Sequence, residues 1–522
     1  MATDVQLARK IVSVNPATGE ILRQFDAATD TDVHASVARA RAAQPAWNAL
    51  GVQKRIFILR EFQRLLHKNK SEVAALIARE AGKPMVEALL TEVIVVLDAA
   101  RFCVENAFDF LREQPVPHGN LAMKAKTGCI LREPHGVIGI ISPWNYPFSI
   151  PATESLSALV TGNAVVLKAS ELTSLNALQL AALLYQADVP KDVFRVVVGD
   201  GSAGSALLNA PIDKLIFTGS VATGKRIAQA AAARLLPLVL ELGGKDPMLV
   251  LDDADVDVAS SGAVWGAFAN CGQACLSVER CYVHRSLYEA FLEACVEKTK
   301  RLRVGNGSDP RTDIGPLIHK QQLRNVEAHV EDARMRGARV LTGGLPLPDL
   351  GPNFYSPTVL ADVTHAMHIM CEETFGPVLP VMPFDTDDEA IRLANDSEYG
   401  LAASIWTRDR SCGEALARRI QAGTVMVNDA VACFGISEAP HGGVKASGIG
   451  RTHGRFGLEE MVRIKYVDSD LPRMKQVWWY GYGDAFTRQM EGFVDLMFAR
   501  RLSRRLRGAI DSLGAFRRKG RL

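Results

Sequence analysis

Short apolar runs rich in β-branched residues alternate with helical stretches through the middle of this 522-residue chain, and this alternation constrains the fold most. The first four runs are GVIGIIS (136–142), NAVVLKAS (163–170), VFRVVVG (193–199) and KLIFTGS (214–220). Helical stretches such as 174–187 and 223–235 separate the runs. Because strands that alternate with helices form βαβ units, the pattern predicts a parallel sheet.

The same alternation begins again after Gly243 and Gly244. The strand candidates of this second series are PMLVL (247–251), RCYVH (280–284), ARVLTGG (338–344), VLPVMPF (378–384), AASIWT (402–407) and TVMVND (424–429). A helical pattern at 257–270 follows the first of these candidates, and another at 286–303 follows the second. We therefore predict two α/β domains that join near Gly243–Gly244.

The residues before the first series show other sequence patterns. The first ~110 residues have apolar residues at three- and four-residue spacing, which predicts helices. Residues 121–133, LAMKAKTGCILRE, alternate loosely and predict a strand or a hairpin.

Charge and cysteine usage exclude several classes of protein. The net charge of +2 gives no overall attraction toward nucleic acid. Nine scattered cysteines without a CxxC pair indicate a reducing compartment and no metal site. With no basic, apolar leader and no run of ~18 apolar residues, we expect a cytoplasmic protein without a spanning helix.

The segment FANCGQACLS (268–277) raises the question of which cysteine is reactive. Gly272 allows a tight turn, which would present Cys275 with its backbone amide directed at a ligand. A nucleophilic cysteine needs surroundings that favour its thiolate. Two small buried side chains are the more frequent outcome for such a pair, so the segment alone leaves both interpretations open.

Three other segments carry polar residues beside predicted strand ends or glycines. Glu241 stands before paired glycines in ELGGKDP, and it is either a general base or a surface group. Asn145 in SPWNYP follows a predicted strand, and it is either an oxyanion donor or a turn residue. FTGSVATG (217–224) joins a strand to a helix N-terminus, a favourable site for a pyrophosphate, although it lacks the GxGxxG spacing.

Two further pairs are suited to a nucleotide. Lys168 and Glu171 follow a predicted strand in VVLKASE, and they would contact ribose hydroxyls or form an ordinary solvated pair. Glu373 and Phe375 in EETFGPV would hold a second ribose and a flat ring.

Together these segments resemble the aldehyde dehydrogenase superfamily over roughly residues 10–470, its hydrolytic NAD(P)-dependent branch in particular. The motifs that carry the resemblance, in family order, are SPWNYP, VVLKASE, FTGS, ELGGKDP, FANCGQAC, EETFGPV, NDSEYGLAAS, GTVMVND and GGVKASGIGR. The resemblance implies two doubly wound α/β domains, a small β oligomerisation arm and a helical C-terminal extension. The implied divisions are a Rossmann-like cofactor domain (1–120 and 135–243), a catalytic domain (244–445), the arm (121–134 and 458–470) and a basic amphipathic extension (471–522).

The resemblance also implies a role for each matching residue. Cys275 would be the nucleophile, Glu241 the base and Asn145 an oxyanion donor, with Cys271 a bystander. The implied contacts of the dinucleotide are Ser142, Trp144, Asn145, Lys168, Glu171, Gly219, Ser220, Gly224, Leu242, Glu373 and Phe375. NAD is favoured over NADP, because Glu171 would repel a 2′-phosphate.

The implied reaction converts an aldehyde to a carboxylic acid through a cysteine thiohemiacetal and a thioester. Family members that hold a carboxylate usually carry an Arg at the position of Thr153, so uncharged or apolar aldehydes are favoured here. The alternatives are a semialdehyde dehydrogenase that uses Arg451 or Arg455, and a thioester or ester hydrolase with the same cysteine. His441 replaces the Phe that is common in the family and is interpreted as a tolerated variant.

The last segment, 471–522, extends beyond the usual end of the family. It has twelve Lys or Arg and four Asp or Glu, a local net charge of +8 that leaves −6 for the rest of the chain. Its apolar residues recur at three- and four-residue steps, which predicts amphipathic helices. Packing on the body or on a partner subunit of a homodimer or homotetramer, contact with an anionic membrane surface, and, last, nucleic-acid contact remain as interpretations.

Overall fold

The computed structural model describes residues 9–120, 123–471, 476 and 478–514. The strands are β1 (Lys10–Val14), β2 (Ile21–Asp26), β3 (Gln114–Val116), β4 (Thr127–Pro134), β5 (Val137–Ile141), β6 (Ala164–Lys168), β7 (Phe194–Val197), β8 (Lys214–Thr218), β9 (Leu238–Glu241), β10 (Asp246–Val250), β11 (Val278–His284), β12 (Arg339–Thr342), β13 (Thr358–Ala361), β14 (Val378–Phe384), β15 (Ala402–Trp406), β16 (Thr424–Val427), β17 (Gly448–Ile449) and β18 (Val462–Ser469).

Helices precede, separate and follow these strands. They are α1 (Asp30–Ala49), α2 (Val52–Ala81), α3 (Met85–Ala88), α4 (Ile94–Leu111), α5 (Ser149–Val160), α6 (Ser174–Gln186), α7 (Gly201–Asn209), α8 (Val221–Ala232), α9 (Val256–Phe268), α10 (Tyr288–Lys300), α11 (Lys320–Met335), α12 (His368–Cys371), α13 (Asp387–Asn395), α14 (Arg410–Ala417), α15 (Gly454–Glu460), α16 (Asp484–Phe498) and α17 (Leu502–Ser512). The long helix α2 ends because Gly82 adopts φ of 77°, the left-handed conformation that glycine favours at a helix end. A π-helical turn, Leu89–Val93, joins α3 to α4.

The first sheet has six strands in the order β17-β9-β8-β5-β6-β7, and all of its pairs are parallel except β17 with β9. The chain runs outward from β5 to β6 on one side and to β8 on the other. In open α/β sheets, ligands bind at the carboxyl ends of the strands near such a reversal. The first sheet therefore directs the residues after β5 and β8 toward a common ligand site.

The second sheet has seven strands in the order β12-β13-β14-β11-β10-β15-β16, and only β12 is antiparallel to its neighbour. Every strand candidate named from the two series is present, so the prediction of a mixed α/β fold with parallel sheets is confirmed. Strands β9, β13 and β17 of these sheets were not predicted, and each has four residues or fewer. Strands β1 and β2 lie in the N-terminal stretch for which only helices were predicted. Gly243 and Gly244 lie between β9 of the first sheet and β10 of the second.

Contacts divide the described residues into two compact units. One contains the chain up to Arg112 together with Arg132–Arg463, and the other contains Glu113–Leu131 together with the described residues from Ile464 onward. The second unit includes most of a three-stranded sheet in the order β18-β4-β3 and the two helices α16 and α17.

The C-terminal segment is helical, as predicted. No helix among the described residues is long and apolar enough to cross a membrane. Residues 1–8, 121–122, 472–475, 477 and 515–522, which belong to the predicted cofactor domain, arm and extension, lie outside the described residues. The domain boundaries stay a prediction.

Candidate active site

The structure brings Cys275, Asn145 and Glu241 to one cavity of about 300 Å³. We call this cavity the polar cleft. Its lining also contains six of the residues predicted to contact a dinucleotide, which are Trp144, Gly219, Ser220, Leu242, Glu373 and Phe375. Asn145 and Glu241 lie at the ends of strands of the first sheet, whereas Cys275 and Glu373 precede strands of the second sheet.

Four predicted contact residues do not line the polar cleft among the described residues. Lys168 donates from Nζ to Glu171 Oε2 at 3.1 Å, and because Lys168 is only 5% exposed, this is not an ordinary solvated pair. The Ser142 amide donates to the Lys168 carbonyl at 3.1 Å. Gly224 lies in α8, where a Cβ would approach Leu242 Cδ2 to 2.5 Å.

A hydrogen-bond network fixes the loop that carries Cys275. The side-chain amide of Asn270 donates to the carbonyls of Asn145 and Gln273, both at 3.0 Å. The side-chain amide of Asn145 donates to the Gln273 carbonyl at 3.1 Å. Glu87 accepts from the Asn270 amide at 2.7 Å, and burial raises the pKa of Glu87 to about 7. Glu87, Asn270 and Gln273 were not predicted as site residues.

The two neighbouring cysteines have different surroundings. Cys271 is 1% exposed and belongs to the hydrophobic core around the second sheet. Its backbone has φ of 58°, in the left-handed region. Cys275 is only partly buried and lines the polar cleft as well as two further cavities. The structure therefore gives a reactant access to Cys275 and encloses Cys271.

A second cavity, of about 220 Å³, also ends at Cys275 and is lined by uncharged residues. We call it the apolar passage. The side chains that give it its character are Leu90, Val95, Tyr146, Ile150, Trp265 and Phe434. Leu90 comes from the π-helical turn, a feature that often occurs at functional sites.

Burial dominates the electrostatics of the reacting groups. Burial, and then the carboxyl groups of Asp246 and Glu373, raise the pKa of the Cys275 thiol well above its usual range. Burial, and then Glu154, raise the pKa of Glu241, while Arg451 opposes this shift. Both carboxyl oxygens of Glu241 lack a hydrogen-bond partner among the described residues.

Glu154 is a buried carboxyl group that the motifs did not identify as functional. It lies on α5 and lines a small cavity together with Glu241, Cys275 and His441. Thr218 donates to Glu154 Oε1 at 3.2 Å, and burial raises the pKa of Glu154 to about 8. His441 Nε2 lies 3.8 Å from Glu241 Oε2, and burial lowers the pKa of His441 to about 3. No short motif marks Glu154, because its position in the site arises from tertiary packing.

The raised pKa predicts how Cys275 will react with iodoacetamide in protein without cofactor. Because only the thiolate is nucleophilic, alkylation should continue to accelerate about tenfold per pH unit through pH ~9. Mass spectrometry of the Cys275 peptide measures the rate, and the exposed Cys371 is an internal comparison. A rate that stops rising below pH ~8 would contradict the effect of burial.

Comparisons with known proteins agree with this fold. The family model described as "Aldehyde dehydrogenase family" matches residues 3–467. A putative succinate-semialdehyde dehydrogenase [NADP(+)] of Mycolicibacterium smegmatis is 41% identical over 89% of this chain and 88% of its own length. A 4,4'-diapolycopene aldehyde oxidase of Methylomonas sp is 40% identical over 94% of this chain and 91% of its own length.

A solved structure, the NAD+ complex of an aldehyde dehydrogenase from Bacillus cereus, superposes with a TM-score of 0.85. It is 36% identical and covers 89% of this chain and 94% of its own. The mixed α/β fold of this chain is thus also found in an aldehyde dehydrogenase whose structure has been solved. The chain belongs to the aldehyde dehydrogenase family, whose members are oxidoreductases that act on aldehydes.

Proposed function

We propose that this chain oxidises an apolar aldehyde to its carboxylic acid with NAD(P)+ as the hydride acceptor. The observation that carries the proposal is the position of Cys275, which lines both the polar cleft and the apolar passage. An aldehyde in the passage would place its carbonyl at the sulfur, with its hydrocarbon part among uncharged side chains.

Three residues have separate roles in the proposed reaction: Cys275, Asn145 and Glu241. The Cys275 thiol releases its proton to solvent, and the thiolate attacks the carbonyl carbon, so that the C=O π electrons move onto oxygen and give the oxyanion of a thiohemiacetal. The Asn145 side-chain amide and the Cys275 backbone amide hold the oxyanion, and one such donor is typically worth about 10²–10³ in rate. After hydride loss leaves a thioester, Glu241 accepts a proton from the water that releases the acid.

The polar cleft fits a dinucleotide. Ser220 caps the N-terminus of α8 directly after β8 and Gly219, where the helix dipole and free amides favour a pyrophosphate. The Gly243 backbone approaches Glu373 so closely that a Cβ would meet its Oε2 at 2.6 Å. The rings of Trp144 and Phe375 lie edge to face at 5.4 Å. Bound NAD(P)+ would supply the hydride acceptor, and Glu171 supports NAD over NADP.

A semialdehyde is the second candidate substrate, because one relative is named for succinate semialdehyde. The geometry of the proposed arginines argues against it. Arg451 Nη1 donates to the carbonyls of Gly443 and Gly450 at 2.9 and 2.6 Å. Arg455 is paired with Glu459 at 3.2 Å. Among the described residues, neither arginine lines the apolar passage. The other named relative acts on a diapolycopene aldehyde, which is consistent with an apolar substrate.

An aldehyde panel with NAD and NADP in parallel tests the proposal. We expect kcat/KM for NADH formation to rise by about fourfold per added methylene from propanal toward decanal, since each buried methylene contributes ~0.8 kcal/mol. Succinate semialdehyde should be a poorer substrate than pentanal. A preference for succinate semialdehyde would favour the second candidate. Ester hydrolysis without NADH formation from any aldehyde would favour a hydrolase.

We also propose that the chain forms a homodimer or a homotetramer through the sheet β18-β4-β3. Strand β18 is at an edge of this sheet, a position that favours pairing with another strand. Ile464 and Tyr466 on β18 are 60% and 49% exposed. Location in the cytoplasm stays a prediction.

A further inference from the structure

Helices α16 and α17 form a hairpin, which we call the tail hairpin (residues 484–512). The helices pack through Gly492 and Gly508, whose backbones are in direct contact. A Cβ on Gly508 would meet the Leu496 nitrogen at 2.6 Å, and one on Gly492 would meet the Gly508 carbonyl oxygen at 3.1 Å. Close packing through these glycines fixes which face of α17 is covered by α16.

The opposite face of α17 is apolar and exposed. Its residues recur at helical spacing along one stripe, and each has 60–71% of its surface exposed: Leu502, Leu506, Ile510 and Leu513. Phe498, at the end of α16, is 75% exposed. Exposed apolar patches of this kind on a soluble protein generally mark an interaction surface.

Basic residues accompany this stripe. Five arginines lie within the eight residues 500–507, and Asp511 is the one acidic residue between 499 and 514. By the geometry of 3.6 residues per turn, Arg505 and Arg507 lie on either side of the stripe. Arg505 Nε donates to the Leu496 carbonyl at 3.0 Å, which holds its guanidinium group beside α16, and Arg504 Nε lies 3.9 Å from Asp495 Oδ2. Arg500, Arg501 and Arg507 have no such contact among the described residues. A partner of this face must therefore accept apolar side chains and offer negative charge.

An anionic lipid surface meets both requirements. A second copy of the same face would bring two arginine clusters together, which like-charge repulsion opposes. The 11-residue α17 is shorter than the ~20 residues that a spanning helix needs, so it would lie in the plane of the interface. The exposed aromatic residues Trp479, Tyr480 and Tyr482 precede the hairpin and are of the type that favours the headgroup region.

We propose that the tail hairpin docks on an anionic bilayer, with the leucine-rich face of α17 in the headgroup boundary and its arginines on lipid phosphates. Because the test measures binding and not catalysis, this inference does not rest on the proposed function. The alignment with the diapolycopene aldehyde oxidase covers 94% of this chain, and the uncovered remainder is shorter than residues 471–522. The alignment thus extends into the tail.

Co-sedimentation of the full chain with vesicles tests the inference. We expect binding to vesicles of phosphatidylcholine mixed with phosphatidylglycerol, much weaker binding to phosphatidylcholine alone, and loss of binding in high salt. The double variant Leu506→Asp/Ile510→Asp should bind at least about tenfold more weakly. The double variant Arg501→Gln/Arg507→Gln should also lose on the order of tenfold on anionic vesicles.

Leu345→Asp is the matched control, because Leu345 is 66% exposed on the other unit and should leave vesicle binding unchanged. The melting temperature of each variant reports whether the chain has folded. Equal binding by the wild type and the Leu506→Asp/Ile510→Asp variant would overturn the inference. A smaller oligomer in that variant without a change in vesicle binding would assign the face to a second copy. Displacement of the vesicles by DNA at low salt would assign it to nucleic acid.

Discussion

Replacement of Cys275 by Ala is expected to reduce aldehyde oxidation by on the order of 10⁴-fold or more, because no other group would form the covalent intermediate. Cys271→Ala is the matched control on the same loop. Cys271 is enclosed in the core of the second sheet, so its loss should cost some stability and leave most of the turnover. NADH formation at saturating aldehyde, with the melting temperature of each variant, measures both effects.

A third cysteine makes this comparison sharper. Cys433 packs in the same small hydrophobic cluster as Cys275, and it is 7% exposed. If Cys275→Ala retained substantial activity, Cys433 would be the next thiol to replace. Activity that survived both replacements would remove cysteine chemistry from the proposed mechanism.

Glu241→Gln is expected to retain a burst of NADH of about one equivalent per active site and to lose about 10²–10⁴-fold in steady-state turnover. The reason is the order of events, since Glu241 acts on water after the hydride has left. Its buried carboxyl oxygens, which have no hydrogen-bond partner among the described residues, are consistent with a group that receives a proton during turnover. Rapid-mixing absorbance measures the burst, and its absence would place Glu241 before hydride transfer.

Glu154→Gln is the matched control for this experiment. Glu154 shares the small cavity with Glu241 but does not line the polar cleft, so both the burst and the turnover should be retained. Because the Glu154 carboxylate raises the pKa of Glu241, its removal should lower that pKa. The base form of Glu241 would then be present at lower pH, and the acid limb of the pH–rate profile should move to lower pH.

The strands that could be predicted from the sequence are those that have a distinctive composition of their own. Runs such as VIGII and AVVLK are apolar and β-branched because both faces of a parallel sheet are covered, and they became β5 and β6. The meeting of Asn145 and Glu241 was implied only by the family resemblance, because β9, the strand that ends at Glu241, was not predicted.

The remaining features of the site depend on packing between segments distant in sequence. Glu87 holds the Asn270 amide across 183 positions, and no short motif records that contact. His441 was interpreted as a tolerated variant, and the structure places it beside Glu241. Lys168 and Glu171 stay predicted nucleotide contacts, and their contact with each other depends on side-chain conformations that spacing does not determine.

The division of the site between two sheets has a consequence for how this enzyme can evolve. Asn145 follows β5 and Glu241 ends β9 of the first sheet, whereas Cys275 precedes β11 and Glu373 precedes β14 of the second sheet. The reaction centre therefore depends on how the two sheets are positioned relative to each other. Selection for turnover must preserve the packing between the two sheets, even at residues that never touch a reactant. The surfaces of the sheets that face away from the site remain free to diverge.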